Sequence, residues 1–136
     1  MAYTNNVGNL TNDFFGNFAI GHVVRASVGA TGNTAVSIPI NAGSYIVRRI
    51  TVANANATIN TANVVVLTSS DGNASNAVSN VTVLSNVTSN STYQDIPLST
   101  ASANTVFTQT VLYVKVNTAV TNGTCDITVY GDVVSL

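Results

Sequence analysis

The dipeptide Asn122-Gly123 lies between two stretches that alternate apolar with polar residues, and this pattern constrains the fold more tightly than any other in the chain. Asn-Gly between alternating stretches is the strongest short-range signal for a two-residue β-hairpin, because both turn positions take positive φ. With these two residues at the tip, Val120 opposes Cys125, Thr118 opposes Ile127, Val116 opposes Val129, Val114 opposes Gly131 and Leu112 opposes Val133. That set forms one face and is nearly all apolar. The other face opposes Asn117 to Thr128, Lys115 to Tyr130 and Tyr113 to Asp132. A slip of one residue would mix the two sets, so pattern and register agree. The expectation is a hydrogen-bonded hairpin, half core and half exterior, in an antiparallel sheet covered on one side.

Composition extends this reading to the whole chain. Val (22), Thr (19), Asn (19), Ala (15) and Ser (13) fill 88 of 136 positions. Val and Thr are β-branched and favour strands, whereas Asn and Ser favour turns. Glu is absent and Lys and Arg together number four, so the usual helix-surface residues are missing. The class is therefore all-β. A hydrophobic share of 46% sets the chain apart from disordered sequences.

Turn signals separate about eight strand candidates, at 21–28, 35–40, 44–52, 63–68, 81–87, 93–98, 105–120 and 124–134. Pro39 marks the second as an edge strand or a bulge. The stretch 53–62 reads as loop or weak strand, and 69–80 as a long polar loop. The favoured architecture is an antiparallel β-sandwich, a jelly roll of about eight strands over residues 18–136, preceded by an N-terminal arm at 1–17. A seven-stranded Ig-like sandwich is the alternative.

The charge inventory excludes several functions. Nine charged side chains with a net charge of −1 cannot build the phosphate-neutralising surface of a nucleic-acid binder. No apolar run approaches the ~18–20 residues of a membrane span. His22 and Cys125 are each the sole residue of their type. The five Asp share no motif, and Asp126 and Asp132 lie roughly 20 Å apart along one strand. There is no Gly-x-Ser-x-Gly elbow, no Cys/His spacing suited to a metal and no phosphate-binding glycine loop. The segment from Asp71 to Ser75 alternates oxygen-bearing residues but lacks the features that close a calcium loop. No catalytic, cofactor-binding or metal-binding residue is expected, and the chain reads as a non-enzyme. The start Met-Ala-Tyr-Thr-Asn-Asn lacks the pattern of a secretory signal, which points to synthesis in a cytosol.

Two features could carry partner contacts. Tyr3, Phe14, Phe15 and Phe18 place aromatics in or beside the arm, where they either extend the core or anchor into a neighbouring subunit. Arg48 and Arg49 are the one basic doublet. In a regular strand they point to opposite faces. One then lies at the core side or a sheet margin and requires an acidic or carbonyl partner, from this chain or from a neighbouring subunit.

Several runs resemble the small virion proteins of tailed bacteriophages. They are Tyr-Ile-Val-Arg-Arg-Ile-Thr-Val-Ala-Asn at 45–54, Val-Val-Val-Leu at 64–67, Tyr-Gln-Asp-Ile-Pro-Leu at 93–98, Leu-Tyr-Val-Lys-Val at 112–116 and Cys-Asp-Ile-Thr-Val-Tyr-Gly at 125–131. The resemblance rests on strand texture across residues 18–134 and is to capsid cement, or decoration, proteins. It implies a jelly-roll β-sandwich that binds the outer surface of a capsid and bridges neighbouring major capsid subunits. The expected partners are the major capsid protein and further copies of the chain, as a dimer or trimer, with no nucleic acid and no membrane. Tail and fibre modules share this texture, which keeps host-surface attachment as the alternative.

Overall fold

The computed structural model describes residues 18–38, 43–71 and 73–135. Its strands are β1 (Phe18–Ser27), β2 (Gly32–Ser37), β3 (Ser44–Ala53), β4 (Asn63–Leu67), β5 (Thr82–Val83), β6 (Tyr93–Asp95), β7 (Val111–Thr118) and β8 (Thr124–Ser135). They form two antiparallel four-stranded sheets. The first has the order β1-β8-β3-β6 and the second β2-β7-β4-β5. Every connection except β4 to β5 passes from one sheet to the other. Eight strands wound in this way are a double-sheet jelly roll, and the Ig-like alternative is excluded by strand number and order.

The hairpin expected at Asn122-Gly123 does not form. β7 belongs to the second sheet and β8 to the first. The two apolar sets are nevertheless the right ones. Leu112, Val114 and Val116 on β7 and Cys125, Ile127 and Val129 on β8 are all buried. They belong to one core between facing sheets instead of lying side by side in one. Alternation reports which face of a strand is buried, and it does not report whether the next strand pairs beside it or packs opposite it.

The local chemistry of the turn explains the misreading. Gly123 N–H donates to the Val120 carbonyl at 2.8 Å, which closes a four-residue turn. Asn122 takes the positive φ of 62°, at the position where a type II turn requires it, and Gly123 does not. Glycine is needed at 123 for space. An added Cβ would lie 2.9 Å from the Val120 oxygen and from Val28 Cγ2, and 3.0 Å from Ile59 Cγ2. Asn56 ties the arch down, with its Nδ2 donating to the Asn122 carbonyl and its Oδ1 accepting from Thr124 N–H, both at 2.9 Å.

Two of the four register shifts on the first sheet redirect charged side chains. Val47 pairs with Gly131 and Arg49 with Tyr130, which leaves Arg48 as an extra residue in β3. The bulge shifts the phase of the strand. Tyr45 and Val47 are buried before it, Ile50 and Val52 after it, and Arg48 and Arg49 are both exposed. The expectation that the two arginines point to opposite faces is therefore wrong, because it assumed an unbroken pleat. On β1, Val23 pairs with Ile127 and Ala26 with Cys125, so Val24 and Arg25 bulge opposite Asp126.

Several strands are shorter than expected. The 81–87 candidate is a strand only at Thr82–Val83, and the 93–98 candidate only at Tyr93–Asp95, with Leu98 in an isolated bridge to Ser79. The 105–120 candidate pairs regularly only over Val111–Thr118. Ahead of it, Phe107 forms an isolated bridge with Tyr45. Their rings stack with centroids 6.0 Å apart, and the Tyr45 hydroxyl donates to the Gln109 carbonyl at 2.7 Å. Burial pushes the Tyr45 phenol up to about 12. Of the stretch 53–62, Ala53 ends β3 and the rest is a loop that inserts Ala55, Ile59 and Ala62 into the core. Pro39 and Ile40 of the 35–40 candidate and the arm at 1–17 lie outside the described residues.

Candidate functional site: two opposed sheet faces

The outer face of the first sheet carries most of the charge among the described residues. Arg49 stands on β3 opposite Tyr130 of β8, and Thr51 stands opposite Asp95 of β6 and Thr128 of β8. Arg49 Nε donates to both oxygens of Asp95, at 2.9 and 3.0 Å. Thr51 Oγ1 donates to the same carboxylate at 2.7 Å. The hydrogen bond that Arg49 donates to Asp95 holds its guanidinium further toward the charged form. The guanidinium carbon lies 5.9 Å from the centroid of the Tyr93 ring and 5.7 Å from that of Tyr130, within cation–π range of both. Tyr93 is 59% exposed.

The rest of this face is also paired within the chain. Arg48 Nε meets Asp132 Oδ2 at 2.9 Å. Both arginines thus find an acidic partner in the chain itself, one of the two sources expected for them. Asp126 Oδ1 accepts the backbone N–H of Arg25 at 2.9 Å, and its Oδ2 accepts Asn54 Nδ2 at 3.0 Å. Arg25 and Asn54 have positive φ of 57° and 52°. The donated backbone hydrogen bond, more than any other cause, holds the Asp126 carboxyl below the usual carboxylate range. His22 Nδ1 sits 2.8 Å from Thr128 Oγ1, and both are accessible to solvent.

The outer face of the second sheet differs in kind. Val64 and Val66 of β4 point into the core, so Val65 and Leu67 point outward, yet both are buried. They line a groove of about 340 Å³ with Ala77, Val81, Lys115 and Asn117. At its margin Val81 is 61% exposed, and Val83 of the neighbouring β5 is 47% exposed. Lys115 is the one charged side chain among the described residues of these four strands. Tyr113, expected to share an outward face with Tyr130, lies on β7 in this sheet, because the hairpin that would have joined them does not exist.

The remaining candidates separate. Tyr3, Phe14 and Phe15 lie outside the described residues, and Phe18 opens β1, paired to Gly131. Cys125 is buried, which pushes its thiol up to about 12, so it is protonated at neutral pH. Among the described residues no three or more His, Cys, Asp or Glu side chains gather in a metal-binding group, and no helix is long and apolar enough to cross a membrane. Tyr93 is, with Asp95 and Thr51, a site residue that sequence reasoning missed. Its strand was expected, but its proximity to Arg49 follows from β6 pairing with β3 across the intervening chain at 54–92, and no local pattern carries that. Comparison with known protein families, with curated proteins and with solved structures finds no match to this chain.

Proposed function

We propose that this chain is a virion structural protein that binds the outer surface of a phage capsid and stabilises the shell by bridging neighbouring major capsid subunits. The observation that carries the reading is the outer face of the second sheet. A shallow apolar groove floored by Val65 and Leu67, with Val81 and Val83 exposed beside it, offers area for burial against protein with one cation to desolvate. A specific contact needs about 800 Å² per partner, which a single face of a small sandwich can supply. Copies arranged around a symmetry axis, as a dimer or trimer, would add avidity. The resemblance in strand texture supports the same reading.

The test is imaging of purified particles of the phage that encodes the chain. Density for a jelly roll on the shell, with the second sheet turned inward, supports the proposal. Density on the tail alone overturns it. Val81→Asp places a charge in the contact and should reduce occupancy on the shell while the sandwich stays folded.

A second reading, a tail or fibre module for host-surface attachment, is favoured by one observation. The aromatic cluster at Tyr93, Arg49 and Tyr130 lies on the opposite sheet and stays accessible when the groove is covered.

A further inference from the structure

We propose that Tyr93, Arg49, Tyr130, Asp95 and Thr51 form a binding site for a neutral saccharide on the outer face of the first sheet. The inference does not depend on where on a particle the chain sits.

The argument begins with what the cluster leaves unsatisfied. Asp95 engages Nε of Arg49. Among the described residues no acceptor meets the two terminal amino groups of Arg49, and no partner meets the hydroxyl of Tyr93 or of Tyr130. A guanidinium fork and two phenols therefore present donors side by side. Asp95, 47% exposed at its side chain, presents acceptor lone pairs beyond those used by Arg49 and Thr51. Donors and acceptors of both kinds thus stand on three adjacent strands, β6, β3 and β8. Vicinal hydroxyls on a sugar ring, each both donor and acceptor, match such a set.

The aromatic rings supply the second half of the match. A pyranose is amphipathic, with polar edges and a face of C–H bonds. The negative face of a tyrosine ring attracts those C–H groups, as it attracts the guanidinium. Tyr93 is 59% exposed and so remains accessible to a ligand beside Arg49. Tyr130 flanks Arg49 on the neighbouring strand.

Charge decides between neutral and anionic ligands. The Arg49 cation is compensated by Asp95 at 2.9 Å, so an anion would gain little net attraction and would meet the carboxylate. A neutral ring meets neither obstacle. The strands beneath are paired. β3 and β8 pair from Thr51 and Thr128 through Ala53 and Asp126, and Thr51 itself is locked to Asp95. Side chains held on paired strands need less ordering when a ligand arrives.

The experiment uses the full chain, isotope-labelled, titrated with the methyl glycosides of glucose, galactose and mannose and with N-acetylglucosamine, followed by NMR. The expected result is saturable binding to at least one of these sugars, with shifts confined to the Arg49 side-chain N–H, the Tyr93 and Tyr130 rings and the amides around Thr51 and Asp95. Binding should be insensitive to added sodium chloride, as a neutral ligand requires. Tyr93→Ala should weaken it about tenfold, and Arg49→Lys should weaken it as well, with the core amide spectrum of both variants unchanged. No saturable shift with any of the four sugars overturns the proposal. So does binding of glucuronate alone, or binding that both variants retain in full. Loss of particle occupancy in Tyr93→Ala, with no sugar bound by the unaltered chain, also overturns it, because the cluster is then a protein contact.

Discussion

The two sheets of this sandwich solve the same packing problem in different ways. The β2–β7 ladder runs from Gly32 opposite Val116 to Ser37 opposite Val111 with no shift of register. The β1–β8 and β3–β8 ladders are broken by shifts, and their strands carry Arg25, Arg48, Arg49, Asp126, Asp132 and His22. Irregularity and charge arise together there for a physical reason. A bulge leaves a backbone N–H without its ladder partner and turns adjacent side chains outward together. Asp126 accepts the N–H that the Arg25 bulge frees, and the bulge at Arg48 sends two cations to the surface, where two aspartates neutralise them. The regular β2–β7 ladder creates neither need, and Lys115 is its one outward charge; the shift in this sheet lies between Asn63 and Val64 on the β4–β7 ladder, where no charged side chain serves it. Three of the four sheet edges are blunted, with β5 and β6 kept to two and three residues and β1 broken by register shifts, while the fourth, β2, is regular over six residues.

The sharpest way to break this comparison is to alter a glycine in each sheet. Gly131 lies beneath the β3 bulge, where an added Cβ would fall 2.0 Å from the Ile46 carbonyl oxygen. The obstacle is paired backbone, so relief requires moving the bulge itself. Gly131→Ala is expected to cost about 4 kcal/mol or more, at the upper end for one substitution. Gly32 opens β2 with φ of 139° and nothing within 4 Å of its added Cβ. Gly32→Ala meets only backbone strain and should cost about 1 kcal/mol. Urea unfolding of both variants measures the difference. Equal losses would show that the bulge yields freely and that the first sheet is no more constrained than the second.

A smaller effect isolates the polar group that serves a bulge. Asp126→Ala removes acceptors from Arg25 N–H and Asn54 Nδ2 and should cost about 1 kcal/mol at neutral pH. Asp126→Asn keeps one carbonyl acceptor and should lose less. The pH dependence has a definite sign. The folded carboxyl titrates below its ordinary value of about 3.9, so its contribution is complete above that value and is lost as pH falls through the lower folded one. Unfolding midpoints of the unaltered chain should therefore drop more steeply between neutral and acid pH than those of Asp126→Asn. Parallel curves would mean that the carboxylate does no more for the bulge than a neutral amide.

The same division marks what could be read from the sequence. The β-class, the strand count and the buried faces of β7 and β8 were legible because β-branched content and alternation follow from burial, which acts locally. The partner of each strand was not. Leu112 to Val116 and Cys125 to Val129 show identical alternation whether they pair in one sheet or face each other from two, and the preference of Asn-Gly for a hairpin tipped the reading the wrong way. The bulges were equally hidden. Nothing in Val-Arg-Arg-Ile announces an extra residue, yet that residue decides that Arg48 and Arg49 share a face and that Arg49 reaches Tyr93. The groove floored by Val65 and Leu67 had a visible trace, since the unbroken apolar run at 64–67 signals a strand buried on both sides. The platform on the first sheet had none, because β6 comes to β3 by topology alone.

The smallest expected effect tests whether the ion pairs stabilise the fold or merely neutralise its surface. The side chains of Arg48 and Asp132 are 54% and 33% exposed, and those of Arg49 and Asp95 are 43% and 47% exposed. At such exposure water screens the attraction, and holding long side chains in place offsets part of the gain. Asp132→Asn should cost no more than about 0.5 kcal/mol, and the cost should shrink as salt is added. Lys115→Gln on the second sheet, with no carboxylate partner among the described residues, should change stability by still less. A double-mutant cycle on Arg48 and Asp132 reads the pair directly. A coupling several times the expected value, unaffected by salt, would mean that the pair locks the β3 bulge and that charge on this sheet is part of its framework. A coupling near zero leaves the bulge held by Gly131 and the buried flanks Val47 and Ile50, with the arginines free to serve the surface they occupy.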